Sequence, residues 1–190
     1  MIDAITKITE YLLAIAKGRE EQDEKLFRDF VQPLFDQIEL VHRDYLREFT
    51  KIHQKLSDAR FSLAKLEKEI AISRTELAGI REVVAKMSAQ LARGSFQEGA
   101  SKGSSAKARV FQFAFTVQKY LFAGFEEGRA GRTHFTTMIE LIEVVANNGI
   151  ISSDPKRDLE WSAYGTIQFL TKCWSEVAEA YANAKLACLS

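Results

Sequence analysis

The stretch from Leu34 to Leu91 reads LFDQIELVHRDYLREFTKIHQKLSDARFSLAKLEKEIAISRTELAGIREVVAKMSAQL. Apolar or small side chains recur along it at alternating steps of three and four residues, with two consecutive steps of four around Tyr45. This is the heptad pattern of helices that pack along a seam, and it is sustained for about eight heptads. The pattern occupies Leu34, Ile38, Val41, Tyr45, Phe49, Ile52, Leu56, Ala59, Leu63, Leu66, Ile70, Ser73, Leu77, Ile80, Val84, Met87 and Leu91.

Two alternatives fit this stripe, because the residues from Leu34 to Ala78 include neither glycine nor proline. Either one long helix runs through, or the chain folds back as an antiparallel hairpin at a turn that lacks the usual turn residues. Ser57-Asp58 is the best candidate for such a turn and residues 73–75 are the next, because serine, aspartate and threonine are good N-caps.

An unbroken helix would extend roughly 90–100 Å at 1.5 Å per residue. The remaining helices could not cover such a rod along its whole length, so its seam would need a partner, most simply a second copy of the chain. We therefore expect the middle of the seam to bind another copy or another protein. The residues assigned to this partner-binding seam are Leu56, Leu63, Leu66 and Ile70.

The flanking sequence also predicts helices, since its apolar residues recur at helical spacing and no run alternates with the period of a strand. The predicted fold class is therefore all-α, a bundle of about five helices built on the long coiled-coil-like helix or hairpin. The other helices are predicted at about 3–17, 107–125 and 133–146, and the last one begins after Ser153-Asp154-Pro155.

Two local expectations concern the ends of this bundle. Pro33 should kink the long helix near its start, because its ring clashes with the carbonyl group of Asp29. The last helix should bury one apolar face against its neighbours. The residues assigned to that face are Trp161, Tyr164, Ile167, Phe169, Leu170, Trp174, Val177 and Tyr181.

The domain organisation follows from one segment rich in small residues. Residues 94–106 read GSFQEGASKGSSA, with three glycines and four serines. This composition predicts a flexible linker. Residues 1–93 would then hold the first helix and the heptad segment, and residues 107–190 a three-helix part that packs on them.

Charge and hydropathy exclude several classes of partner. The 190 residues carry 26 basic and 26 acidic side chains, so no net charge draws the chain to nucleic acid. The Phe-rich segment 109–125 is interrupted by polar residues and falls short of the roughly 20 apolar residues that span a bilayer. We therefore expect neither nucleic acid nor membrane as a partner. Two cysteines do not make the disulfide scaffold of a secreted protein, so the expected location is cytoplasmic.

The histidines and cysteines offer little metal chemistry. Glu39-x-x-His42 matches one ligand pair of a di-iron bundle, in which residues three apart face the same side of a helix. Such a site needs a second pair, and neither His53 nor His134 has a glutamate three residues before it. The two cysteines are fifteen residues apart, which is not a zinc-ligand spacing. We expect no metal and no cofactor.

One motif suggests an alternative function. Arg47 precedes His53 by six residues, and Arg129 precedes His134 by five. This spacing resembles the motif of HEPN ribonucleases, which are small helical bundles that usually dimerise. The resemblance implies that the arginine steadies a phosphate group while the histidine acts as general acid or base. The alternative function is therefore a metal-independent ribonuclease or toxin.

The stripe gives the stronger functional prediction. A seam of this length typically holds helices together, and burial of its side chains would supply the association energy at about 25 cal/mol per Å². We therefore predict a non-enzymatic helical scaffold or accessory subunit that self-associates or binds a partner protein.

Overall fold

The computed structural model describes residues 23–58, 62–96, 105–123, 132–148 and 154–189, and these ranges form six helices and one short strand pair. The predicted helix at 3–17 lies outside them. The all-α fold class is confirmed. Helix α1 runs through three segments, the α-helical Asp23–Leu26, the π-helical Phe27–Val31 and the α-helical Gln32–Ser57. The others are α2 Leu63–Glu76, α3 Ala78–Phe96, α4 Ser105–Leu121, α5 His134–Asn148 and α6 Pro155–Leu189, with β1 Phe122–Ala123 antiparallel to β2 Arg132–Thr133.

The heptad stripe folds back on itself. Helix α1 ends where Asp58 adopts an extended backbone, with φ −76° and ψ 133°. Beyond this point α2 runs antiparallel to α1: Ser73 Oγ donates to Glu48 Oε2 at 3.0 Å, and Lys55 forms an ion pair with Glu69. Of the two alternatives left open by the sequence, the structure has the hairpin, in which α1 ends at Ser57 and α2 begins at Leu63.

The returning arm is broken at Leu77, between α2 and α3, and Arg81 lies at this break. Arg81 is only 7% exposed, and its Nη2 donates to the carbonyl oxygen of Arg74 at 2.5 Å, near the end of α2. The guanidinium carbon lies 6.0 Å from the ring centroid of Tyr45 and 5.4 Å from that of Phe135. The buried cation thus contacts the end of one helix and aromatic rings of two others.

The main body is a four-helix bundle of α1, α3, α4 and α6, in which α3 packs against α4, α4 against α6, and α6 against α1 most extensively. Helix α4 is parallel to α1, whereas α3 and α6 are antiparallel to it. At the far end of α1, α2 and α5 pack against each other, and α5 also contacts α6. The ring contacts that fix the register of α4 and α6 on α1 are Phe35–Phe113, His42–Tyr120, Phe35–Tyr181 and His42–Trp174.

One core runs through this assembly. Buried apolar side chains from α1 to α3 and from α4 to α6 belong to a single cluster, so the parts before and after residues 94–106 share their core. The predicted linker is partly helical, because α3 continues to Phe96 and α4 begins at Ser105. None of the helices in the described ranges has the length and hydropathy needed to cross a bilayer.

A π-helical turn just before Pro33 accommodates the proline within α1. The backbone N–H of Gln32 bonds to the carbonyl oxygen of Phe27, five residues earlier, instead of the usual four. Pro33 then falls in the first turn of the following α-helical segment, where its missing N–H is not needed. The sequence predicted a kink at this proline, and what the structure shows there is one extra residue in the preceding turn.

Two predicted helix starts are confirmed by their caps. Thr133 Oγ1 accepts a hydrogen bond from the backbone N–H of Thr136 at 3.2 Å, and Asp154 Oδ1 accepts one from Arg157 at 3.1 Å. The prediction for the end of α4 was wrong by four residues. The helix stops at Leu121 because the next two residues pair with β2.

Candidate functional site

The four residues of the predicted partner-binding seam pack against other helices of the same chain. Leu56, Leu66 and Ile70 are almost completely buried, and Leu63 is half-buried against the same core. The chain covers its own stripe because it folds back, whereas an extended rod would have exposed it. A surface for a partner therefore has to be sought outside the stripe.

The residues of the first Arg/His motif contact different neighbours. Arg47 is exposed and forms ion pairs with Asp44 at 2.8 Å and with Glu48 at 3.1 Å, all on α1. His53 faces α6, where its Nε2 lies 3.8 Å from Glu160 Oε1. The structure does not bring Arg47 and His53 together around one shared position.

The second Arg/His motif is only half described, because Arg129 lies outside the described residues. His134 is buried, and its Nε2–H donates to the carbonyl oxygen of Tyr120 at 3.0 Å. Burial lowers the pKa of His134, so the ring is neutral at pH 7. Its position is that of a core histidine with a satisfied hydrogen bond.

The Glu39/His42 pair does not form half of a metal site. Glu39 is exposed, whereas His42 is buried with its Nδ1 2.7 Å from the hydroxyl oxygen of Tyr120. The His42 ring also stacks on Trp174 with a centroid distance of 4.3 Å. Burial lowers the pKa of His42 to about 4 and raises that of Tyr120. Within the described ranges, no three His, Cys, Asp or Glu side chains are grouped closely enough to hold a metal ion.

The exposed surface of α6 is the strongest candidate for a functional site. Trp161 is 63% exposed, Tyr164 46% and Phe169 44%. Their spacing places the three rings on the outward side of the same helix. We call these three residues the α6 aromatic face. They leave roughly 300 Å² of aromatic surface in contact with solvent, which is comparable to the largest apolar patch of a typical monomer.

A pocket of about 520 Å³ opens beside this face, between the end of α1 and the start of α6. Its walls are held by contacts between the two helices: Ser57 Oγ donates to Glu160 Oε1 at 2.6 Å, and Lys156 Nζ donates to the carbonyl oxygen of Asp58 at 2.7 Å. The pocket combines aromatic rings with charges of both signs. It is lined by His53, Asp154, Lys156, Arg157, Glu160, Trp161 and Tyr164.

This arrangement suits the recognition of another protein surface. Tryptophan, tyrosine and arginine are enriched in protein interfaces and supply most of the binding energy there. A rigid helix carrying exposed rings beside a pocket with a mixed-charge rim matches that composition. His53 and Glu160 lie in this pocket, and their contacts join the end of α1 to the start of α6.

The expectation that Trp161, Tyr164 and Phe169 belong to the buried face of the last helix was wrong. The stripe that α6 does bury consists mainly of small and aliphatic residues, with a period close to seven. It includes Leu159, Ala163, Leu170, Val177, Ala184 and Cys188. Counting this stripe in the sequence would have left the three aromatic residues outside it.

The known proteins give no further guide to this site. Comparison with protein-family models, with curated proteins and with solved structures finds no match for this chain.

Proposed function

We propose that the chain is a non-enzymatic helical scaffold that binds protein through the α6 aromatic face. The observation that carries the proposal is the exposure of three large aromatic side chains on a single helix, whereas the other Phe, Tyr and Trp side chains that the structure describes are buried or half-buried. Exposing this much aromatic surface is unfavourable in water, and a partner that covers it would recover the hydrophobic contribution.

The energetics favour this face over the heptad stripe. The stripe side chains in the described ranges are buried or half-buried against the chain's own helices, so most of their apolar surface can contribute to binding only if the bundle opens. The α6 aromatic face can be covered without any rearrangement. It also lies on a well-packed helix, so little conformational entropy is lost on binding.

A photo-crosslinking experiment in the source cells tests the proposal. A photoreactive phenylalanine analogue at position 161 should yield a discrete crosslinked species that contains this chain and a protein. The same analogue in place of the exposed Lys68 on α2 serves as the matched control and should not yield it. Absence of any crosslink from position 161, or the same products from both positions, would refute the proposal.

A triple variant separates binding from folding. Trp161→Ala, Tyr164→Ala and Phe169→Ala together should abolish binding, tested by whether the unlabelled variant still competes for the crosslinked partner. Because Tyr164 contacts His53 and Phe169 contacts His134, the midpoint of urea unfolding should fall somewhat, but the variant should keep the cooperative unfolding transition of a folded chain. Undiminished competition by the triple variant would place the contact on another surface.

A further inference from the structure

The last turns of α6 expose a short apolar stripe. Leu186 is 69% exposed, a larger fraction than for any other large apolar side chain in the described ranges, and Leu189 is 49% exposed. Ala182 is exposed as well. The three residues are separated by steps of four and three, so they line one side of the helix. We call Ala182, Leu186 and Leu189 the α6 end stripe.

This stripe lies beside the point where the preceding chain joins the bundle. The first segment of α1, Asp23–Leu26, contacts α6. One residue further on, the ring centroid of Phe27 lies 6.0 Å from Lys185 Nζ. Burial raises the pKa of the Cys188 thiol, and the nearby carboxylate of Asp23 raises it further. The start of α1 is therefore level with the last turns of α6.

The chain that precedes Asp23 carries a matching apolar pattern. Residues 3–17, which lie outside the described ranges, are predicted from sequence to be helical, with apolar residues at steps of three, four and three. All four charged residues of this segment fall on the opposite side of the predicted helix. The apolar side holds Ile5, Ile8, Leu12 and Ile15, and the charged side holds Asp3, Lys7, Glu10 and Lys17. A helix of this length is marginal in water by itself, so its apolar side needs a surface to pack against.

The connection to α1 limits how the segment can meet the stripe. Residues 18–22 separate it from Asp23, and a connection of this length spans at most about 20 Å. A segment that doubles back over this distance runs antiparallel to α1 and therefore parallel to α6. In that orientation the steps match, since Ile8, Leu12 and Ile15 repeat the four-then-three spacing of the α6 end stripe.

We propose that the α6 end stripe is the docking surface for residues 3–17 of the same chain. Ile8, Leu12 and Ile15 pack on the stripe, and the charged side of the segment faces water. A connection of five residues keeps the segment at an effective concentration of about 1 mM, so a small apolar surface suffices to hold it. The inference concerns a different surface from the α6 aromatic face and does not depend on the proposed function.

Hydrogen exchange of the full chain tests the contact. The backbone N–H groups of residues 5–15 should exchange at least about tenfold more slowly than those of an unstructured peptide of the same sequence. The double variant Leu186→Lys/Leu189→Lys should remove this protection, because it places charges against the apolar side of the segment. Lysine suits the end of a helix, so the buried N–H groups of α4 should stay protected.

A matched variant controls for the added charge. Ile72 is 57% exposed near the end of α2, and Ile72→Lys should leave the exchange of residues 5–15 unchanged. Its side chain lies on a different helix from the stripe, so only a nonspecific effect of the substitution would change that exchange.

A pair of cysteine variants tests the register. In a Cys173→Ser/Cys188→Ala background, Leu12→Cys with Leu186→Cys should form a disulfide within one chain at about 1 μM protein. Glu10→Cys with Leu186→Cys is the matched control. It should react at least about tenfold more slowly, because Glu10 falls on the opposite side of the predicted helix and a disulfide requires Cα atoms within about 7 Å.

Several results would overturn the inference. One is exchange of residues 5–15 at the unstructured rate in the native chain, and another is protection that survives the double lysine variant or is lost equally in Ile72→Lys. Equal crosslinking of the two cysteine pairs, or a disulfide that joins two chains, would overturn it as well. None of these results changes the expected crosslink from position 161, so the proposed function is tested separately.

Discussion

Lowering the pH from 7 to 4 should remove about 3 kcal/mol of unfolding free energy through His42 alone. The side chain is 8% exposed, its Nδ1 lies 2.7 Å from the Tyr120 hydroxyl oxygen, and its ring stacks on Trp174. Burial disfavours the imidazolium and lowers the pKa from 6.5 to about 4. Between these values the unfolded chain binds a proton that the folded chain does not. Stability from His42 is therefore complete above pH 6.5 and is lost as the pH falls to 4.

The measurement is urea unfolding followed by far-ultraviolet circular dichroism at pH 7, 5.5 and 4. The matched control is the double variant His42→Phe/Tyr120→Phe, which removes the titrating ring and the hydroxyl bonded to it together. Carboxylates and the remaining histidines contribute equally to both proteins. The native chain should therefore lose about 3 kcal/mol more than the control between pH 7 and pH 4. Equal losses in the two proteins would refute the assignment of His42 as a buried neutral histidine.

Two further predictions follow from burial. Leu66→Ala should lower the unfolding free energy by about 2–5 kcal/mol, because it leaves a cavity in the core. The control Ile72→Ala, on the exposed side of the same helix, should change it by less than about 0.5 kcal/mol. Equal losses of the two variants in urea unfolding would contradict the assignment of which side of α2 is buried. Burial raises the pKa of the Cys188 thiol to about 11, so a Cys173→Ser variant should react with a disulfide reagent at pH 8 far more slowly when folded than in urea. Equal rates would show that the thiol is accessible.

The sequence was most informative where local rules decide the structure. The alternating steps of the stripe correctly identified the buried positions of α1, and Thr133 and Asp154 correctly marked helix starts because a side-chain oxygen at the N-cap satisfies a backbone N–H. The hairpin could not be distinguished from a rod, since the Ser57-Asp58 turn has no glycine. The energy that stabilises the hairpin comes mainly from burying apolar side chains such as Leu66 and Ile70 in a core shared with helices distant in sequence.

The candidate site was harder to predict for a related reason. Aromatic residues are usually buried, and that tendency misassigned Trp161, Tyr164 and Phe169. Their exposure depends on which face of α6 packs against α1 and α4. The packed face is the one that carries small buried residues such as Ala163 and Ala184, which are less conspicuous in the sequence than the aromatic residues. The burial of Arg81 has the same origin: its environment is assembled from helices far apart in sequence.

The extra residue in the π-helical turn Phe27–Val31 and the proline at position 33 should change together in evolution. The turn holds one residue more than an α-helical turn, and this extra residue lets Pro33 fall where no backbone donor is required. Deleting that residue alone would bring the proline ring against a carbonyl group. Replacing the proline alone would remove the clash that the wider turn avoids. The two changes are tolerated best together. In related chains one residue shorter at this turn, we therefore expect a residue other than proline at the position of Pro33.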